Sequence, residues 1–161
     1  RQLREMIIRA ANSTSPIAIR SPRRLSKNDV GFDGKWSYLR KVENSKLTIL
    51  AVGNRLCDNA LACELNYADV VCVTSVKPLD EDLLTQISTP TVLTLEEGVL
   101  RGGFGEAVAE ALIDKQIFVK SLGVDDKFVR HAEVAEQIDG CGLDSVSISR
   151  VAEQLRQKFC K

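Results

Sequence analysis

From residue 46 onward, short apolar runs alternate with segments of helical spacing, and this alternation constrains the fold more than any other feature. The run KLTILAVGN (46–54) reads as a buried strand that ends in a glycine turn. RLCDNALACELN (55–66) follows, with Leu56, Ala60 and Cys63 at helical spacing. ADVVCVTSV (68–76) is a second strand, LDEDLLTQI (79–87) a short helix, and PTVLTLEE (90–97) a third strand. FGEAVAEALIDK (104–115) reads as a strong helix with Val108, Ala111 and Leu112 inward, and QIFVKSLG (116–123) as a fourth strand. Two helices close the chain, near 131–138 and 144–159. Strands this continuously apolar belong to a parallel sheet covered on both faces, joined by right-handed crossovers. The expectation is one three-layer α/β domain over 46–161, a mostly parallel sheet flanked by helices.

Residues 1–45 have a different character. Residues 1–11 have Leu3, Met6 and Ile7 on one helical face, with no capping residue ahead of them. PIAIR (16–20) has the pattern of a short strand. A polar stretch with Gly31 and Gly34 then runs over 21–45, too long for an ordinary loop inside a compact domain. It reads as a linker preceded by the tail of another domain. Because the first residue is Arg1 and the first helix is uncapped, the expectation is a fragment, or the processed end of a longer protein.

With 161 residues, 44% of them apolar and 27% charged, the chain has enough material for one globular domain plus a stub. No run approaches the roughly 20 apolar residues that span a bilayer, and the amphipathic start has no cleavable apolar core, so a membrane partner is not expected. Cys57, Cys63, Cys72, Cys141 and Cys160 form no C-x-x-C pair. They read as reduced, buried thiols rather than a disulfide or metal framework. The single histidine, His131, excludes a multi-histidine metal site. No nucleophile–base pair can be assembled around it, and no residue of the chain is assigned a catalytic role.

The net charge is zero but unevenly spread. Residues 1–46 hold eleven Lys/Arg against four acids, which suggests that this segment faces an anion. Its densest part is IAIRSPRRLSK (17–27), where Arg20, Arg23 and Arg24 surround Pro22. Guanidinium groups after a strand end suit a phosphate or carboxylate; the alternative is a solvated basic loop. Without interleaved aromatics or a second basic face, nucleic acid is not an expected partner. GGFGEAVAEAL (102–112) sets three glycines ahead of a helix, either a phosphate cradle or a tight turn with close backbone packing. It lies too late in the fold for a dinucleotide fingerprint. Glu96 and Glu97 are adjacent on a strand and therefore point to opposite faces. This argues against an acid–base dyad and for one of them meeting a nearby base. Pro78 and Asp80 in VKPLDEDLL mark a helix start.

In chain order, RSPRR (20–24), GK (34–35), LTILAVGN (47–54), VKPLDEDLL (76–84), TLEEGVLRGGFGEAVAEAL (94–112), SLGVDDKFVRHA (121–132) and GLDSVSI (142–148) form a recognisable series. Together they resemble the C-terminal quarter of the 1-deoxy-D-xylulose-5-phosphate synthase family, thiamine-diphosphate enzymes of the transketolase superfamily. The most specific parts are K-P-L-D, E-E-x-x-x-x-G-G-F-G and L-G-x-x-D-x-F-V-x-H. The resemblance covers nearly the whole chain. It implies that residues 1–24 are the tail of a pyrimidine-binding domain, 25–45 a linker and 46–161 a transketolase C-terminal domain. It implies a full enzyme that condenses pyruvate with glyceraldehyde 3-phosphate, releasing carbon dioxide, for isoprenoid and thiamine synthesis. The family's magnesium–diphosphate motif, cofactor-activating glutamate and catalytic histidines lie in earlier domains. This chain alone should then bind neither thiamine diphosphate nor Mg2+ and should be inactive. By the same resemblance Arg23 binds the substrate phosphate and Arg20 is its companion; Ser21 and Arg24 stand where the family usually has Tyr and Gly. The implied partners are the upstream domains, a second copy in a homodimer and a phosphorylated small molecule, in the cytoplasm or a plastid-type organelle. Two other readings stay open. One is the end of a transketolase or of a 2-oxo acid dehydrogenase β-subunit. The other is a stand-alone, non-catalytic interaction module of this fold.

Overall fold

The structure, a computed structural model, describes residues 2–21 and 34–159. Its elements in chain order are α1 (Gln2–Ala11), β1 (Ser37–Arg40), β2 (Leu47–Val52), α2 (Asn54–Ala62), β3 (Ala68–Val73), α3 (Glu81–Gln86), β4 (Thr91–Val99), α4 (Phe104–Ala111), a 3-10 turn (Ile113–Lys115), β5 (Phe118–Val124), α5 (Val134–Gly140) and α6 (Ser145–Phe159). The five strands form one sheet in the order β1-β3-β2-β4-β5. β3, β2, β4 and β5 run parallel, and β1 pairs antiparallel with β3 at the edge.

The apolar runs become the two faces of this sheet by simple alternation. Leu47, Ile49 and Ala51 of β2 join Val70 and Cys72 of β3 and Leu93 and Leu95 of β4 on one face. α2 covers this face through Leu56, Cys57 and Ala60, and α6 through Ile148, Ala152 and Leu155. Leu50, Val71, Val73 and Val92 face the other way, under Leu83 and Leu84 of α3 and Phe104 and Val108 of α4. The three-layer α/β architecture is thus as expected, with an antiparallel edge strand added.

Three local readings are corrected. PIAIR forms no strand, since among the described residues no neighbouring strand pairs with it. Ala111 is exposed, because the buried stripe of α4 runs through Phe104, Gly105 and Val108 to Leu112. The end of the polar stretch over 21–45 is part of the domain. Trp36 is 4% exposed and stands edge-on to Phe104, with ring centroids 5.6 Å apart. Its indole N–H donates to the Ser75 carbonyl, and its backbone N–H donates to Asp80 Oδ2 at 2.8 Å. Four mixed residues, SYLR, carry too short a pattern to announce the strand that follows.

Asp80 therefore has two tasks. Its other carboxylate oxygen accepts from Leu83 N at 3.0 Å and caps α3. The K-P-L-D motif is a structural joint between a helix start and the edge of the sheet. Cys57, Cys63, Cys72 and Cys141 are free thiols, and Cys160 lies outside the described residues. A hydrogen bond to the Cys72 sulfur, reinforced by burial, holds the Cys57 thiol above the ordinary range and so suppresses its thiolate. His131 is exposed, on the segment between β5 and α5.

Trp36 is the single tryptophan, so its packing is directly measurable. Its emission is expected to be blue-shifted in the native chain and to move red on unfolding. Trp36→Ala is expected to cost about 3–5 kcal/mol in denaturant unfolding. Solvent-like native emission would show that residues 34–40 do not belong to the core.

Candidate functional site

The carboxyl ends of the parallel strands hold the chemically informative residues. From β2 the chain crosses to β3 on one side, and β4 lies on the other. The ends of β2 and β4 therefore flank the topological switch point, where open α/β sheets place ligands. β2 leads through Gly53, at φ 84°, into α2, and Arg55 is the second residue of that helix. β4 ends in Glu96, Glu97 and the glycine-rich turn before α4.

Alternation along β4 separates the two glutamates, as the sequence predicts. Glu96 shares its face with Val92 and Thr94 and is buried at 5% exposure against α4. Its Oε2 accepts from Phe104 N and its Oε1 from Gly105 N, both at 2.9 Å. Gly103, the cap residue of α4, provides no side-chain cap. Glu96 supplies the missing acceptor from the sheet and places its negative charge at the positive end of the helix.

The glycines make this contact possible. A Cβ on Gly103 would stand 2.5 Å from the Val99 carbonyl oxygen and 2.6 Å from Glu96 Oε2. A Cβ on Gly105 would run into Ser121 Oγ and Thr94 Oγ1. Gly102 turns at φ 70°. Of the two readings of GGFG, the tight turn with close backbone packing is therefore the observed one. A diphosphate does not fit there, because Glu96 already occupies the amides.

Glu97 faces the other way, towards α2. Its Oε1 lies 3.3 Å from Arg55 Nε, and its Oε2 accepts from Arg20 Nη2 at 3.3 Å. Arg55 is 28% exposed, Glu97 34% and Arg20 74%. Arg20 is delivered by the extended segment after α1, and at the start of α1 Gln2 Nε2 donates to Cys72 Sγ at 3.8 Å. Exposed ion pairs of this kind contribute little to stability. Their interest is positional, since two guanidinium groups from distant parts of the chain meet at one carboxylate.

A fold with this strand order, and a match to the transketolase C-terminal domain over residues 34–148, decides the family. The chain belongs to the transketolase C-terminal domain family. Its relatives include the 1-deoxy-D-xylulose-5-phosphate synthase of Caldanaerobacter subterraneus, 34% identical over 98% of this chain. The synthase of Gloeothece citriformis is 36% identical over 99% of it. In both cases the chain spans 27% of the relative's length. Among solved structures, a split-gene transketolase, described as an inactive β4 tetramer, matches with a TM-score of 0.68. It is 30% identical, over 83% of this chain and 46% of its own. Transketolase from Campylobacter jejuni shares the fold, with a TM-score of 0.54 at 15% identity over 78% of this chain and 19% of its own.

Within this transketolase C-terminal domain, Arg20 lies at the switch point, and Arg23 and Arg24 lie outside the described residues. Among the described residues no group of three or more His, Cys, Asp or Glu side chains is placed to hold a metal ion, and no helix is long and apolar enough to cross a membrane. Sequence reasoning missed Arg55. Its only signal was its place after the glycine turn of the first parallel strand, a position that gains meaning once the strand order is known.

Replacing Glu96 by Ala is expected to leave two buried N–H groups without an acceptor and to cost about 3 kcal/mol in equilibrium unfolding. Gly105→Ala is expected to destabilise comparably through overpacking of α4 on the sheet. A Glu96→Ala chain as stable as the wild type would show that α4 does not depend on this carboxylate.

Proposed function

We propose that this chain is the C-terminal part of a 1-deoxy-D-xylulose-5-phosphate synthase. The observation that carries this reading is the match of relatives bearing that name to 98–99% of the chain, within only 27% of their own length. In this reading the complete enzyme joins pyruvate and glyceraldehyde 3-phosphate with loss of carbon dioxide, as a homodimer in the cytoplasm or a plastid-type organelle. Thiamine diphosphate and Mg2+ belong to the upstream domains. When bound, the cofactor supplies the carbanion chemistry that this chain's residues do not.

The chain's own contribution is binding and support. Residues 1–24 are the tail of the pyrimidine-binding domain, and Leu3, Ile7 and Ile8 of α1, all exposed here, suit coverage by the rest of that domain. Residues 25–45 connect the two units, with their last part pinned to the sheet. Residues 46–161 are the body of the C-terminal domain. Arg23 and Arg20 bind the phosphate of the aldose substrate through charge-assisted hydrogen bonds. The position of Arg20 at the switch point supports this role.

A transketolase reading remains the alternative, favoured by the likeness to the split-gene protein. That protein's description as inactive also supports the view that such a chain does not turn over by itself. The test is to assay the purified chain and the full-length enzyme side by side with pyruvate and glyceraldehyde 3-phosphate. The chain alone is expected to give no product and the full enzyme to release carbon dioxide. In the full enzyme, Arg23→Ala is expected to raise KM for glyceraldehyde 3-phosphate about tenfold or more. Turnover by the chain alone would overturn the proposal, and a full enzyme acting on ketose phosphates but not on pyruvate would favour the transketolase.

A further inference from the structure

We infer that Arg55 is a second anion-binding residue of the phosphate site, and that Glu97 is the positioning residue that holds Arg55 and Arg20 side by side. The inference rests on the reading of Arg20 as a phosphate ligand and extends it to residues that the resemblance does not assign.

The geometry is specific. Arg55 Nε and Arg20 Nη2 each lie 3.3 Å from a different oxygen of the same carboxylate. Each guanidinium carries five N–H donors in a rigid fork, and among the described residues Glu97 meets Arg55 at Nε and Arg20 at Nη2. The other N–H groups lie in the planar arrangement that a phosphate accepts. Charge points the same way. Two guanidiniums meet one carboxylate, so the triad holds one positive charge in excess, and an anion would neutralise it. The neighbouring Glu96 does not do so. It is buried on the opposite face of β4, and its oxygens take the amides of α4.

Position favours the same assignment. Arg55 comes from the first turn of α2, which follows β2, and Glu97 from the end of β4, the two strands that flank the switch point. Arg55 is the less exposed of the two arginines, at 28% against 74%. It offers a fixed guanidinium beside the one brought in by the N-terminal segment. Glu97 then repels an anion that approaches it directly, and steers it to the outer edges of the pair.

The test compares glyceraldehyde 3-phosphate with unphosphorylated glyceraldehyde as acceptor in the full-length enzyme. Arg55→Ala is expected to raise KM for the phosphorylated acceptor about tenfold, with a much smaller effect on kinetics with glyceraldehyde. Arg55→Lys should recover part of the loss. Glu97→Gln should raise KM for the phosphorylated acceptor with little change in kcat, and Glu97→Asp should rescue it in part. Equal losses with both acceptors, or no loss with either, would overturn the inference. A second measurement separates it from the parent reading: titration of the 161-residue chain with inorganic phosphate, followed by amide and guanidinium NMR shifts. If the full enzyme does not use the aldose phosphate, the synthase reading falls. Phosphate-dependent shifts at Arg55 and Arg20, lost in Arg55→Ala, would still support the two-arginine site, and their absence in the wild type would refute it.

Discussion

Glu96 ties the end of the central sheet to the start of α4. A carboxylate at 5% exposure is costly to bury unless its charge is met, and here two backbone N–H groups at a helix start meet it. Much of the surrounding sequence follows from that contact. Gly103 and Gly105 are small because the helix must approach β4 and β5 closely. Gly123 faces the Glu96 stem, where a Cβ would come within 3.0 Å of Glu96 Cγ. The E-E-x-x-x-x-G-G-F-G motif is thus largely an architectural device in this chain.

The same strand geometry sets up the functional edge. Once Glu96 points into α4, Glu97 must point towards α2, where Arg55 stands. The switch point then gathers Arg55 and Arg20 around one carboxylate, that of Glu97. A structural carboxylate and a surface carboxylate, adjacent in sequence, have opposite roles because a strand turns successive side chains to opposite faces.

Two other motifs acquire physical meaning in the same way. Asp80 of K-P-L-D caps α3 and also accepts the Trp36 amide, so the helix start and the edge of the sheet share one side chain. Trp36 in turn packs on Phe104 of the GGFG turn. The two motifs therefore meet across the core cluster that Trp36 and Phe104 share with α3 and α4. The domain's second face is built from residues that the linear sequence scatters from 36 to 112.

The alternation of strands and helices from 46 onward, the layered α/β class and the divergence of Glu96 from Glu97 are legible in the linear chain. These are local consequences of periodicity, readable from apolar runs such as LTILAV and from the spacing of Leu56 and Ala60. Density and side-chain chemistry single out Arg20, Arg23 and Arg24 as either an anion site or a solvated basic loop, and the family resemblance implies the phosphate role of Arg23 and Arg20. What Arg20 meets, Glu97, is visible only in the folded chain. The pairing of Arg55 with Glu97 depends on β2 and β4 being neighbours, and no local pattern encodes strand order. The strand at 37–40 and the burial of Trp36 depend on an edge that β3 offers. PIAIR shows the converse: its pattern suits a strand, but a strand needs a partner to hydrogen-bond, and within the described chain it has none.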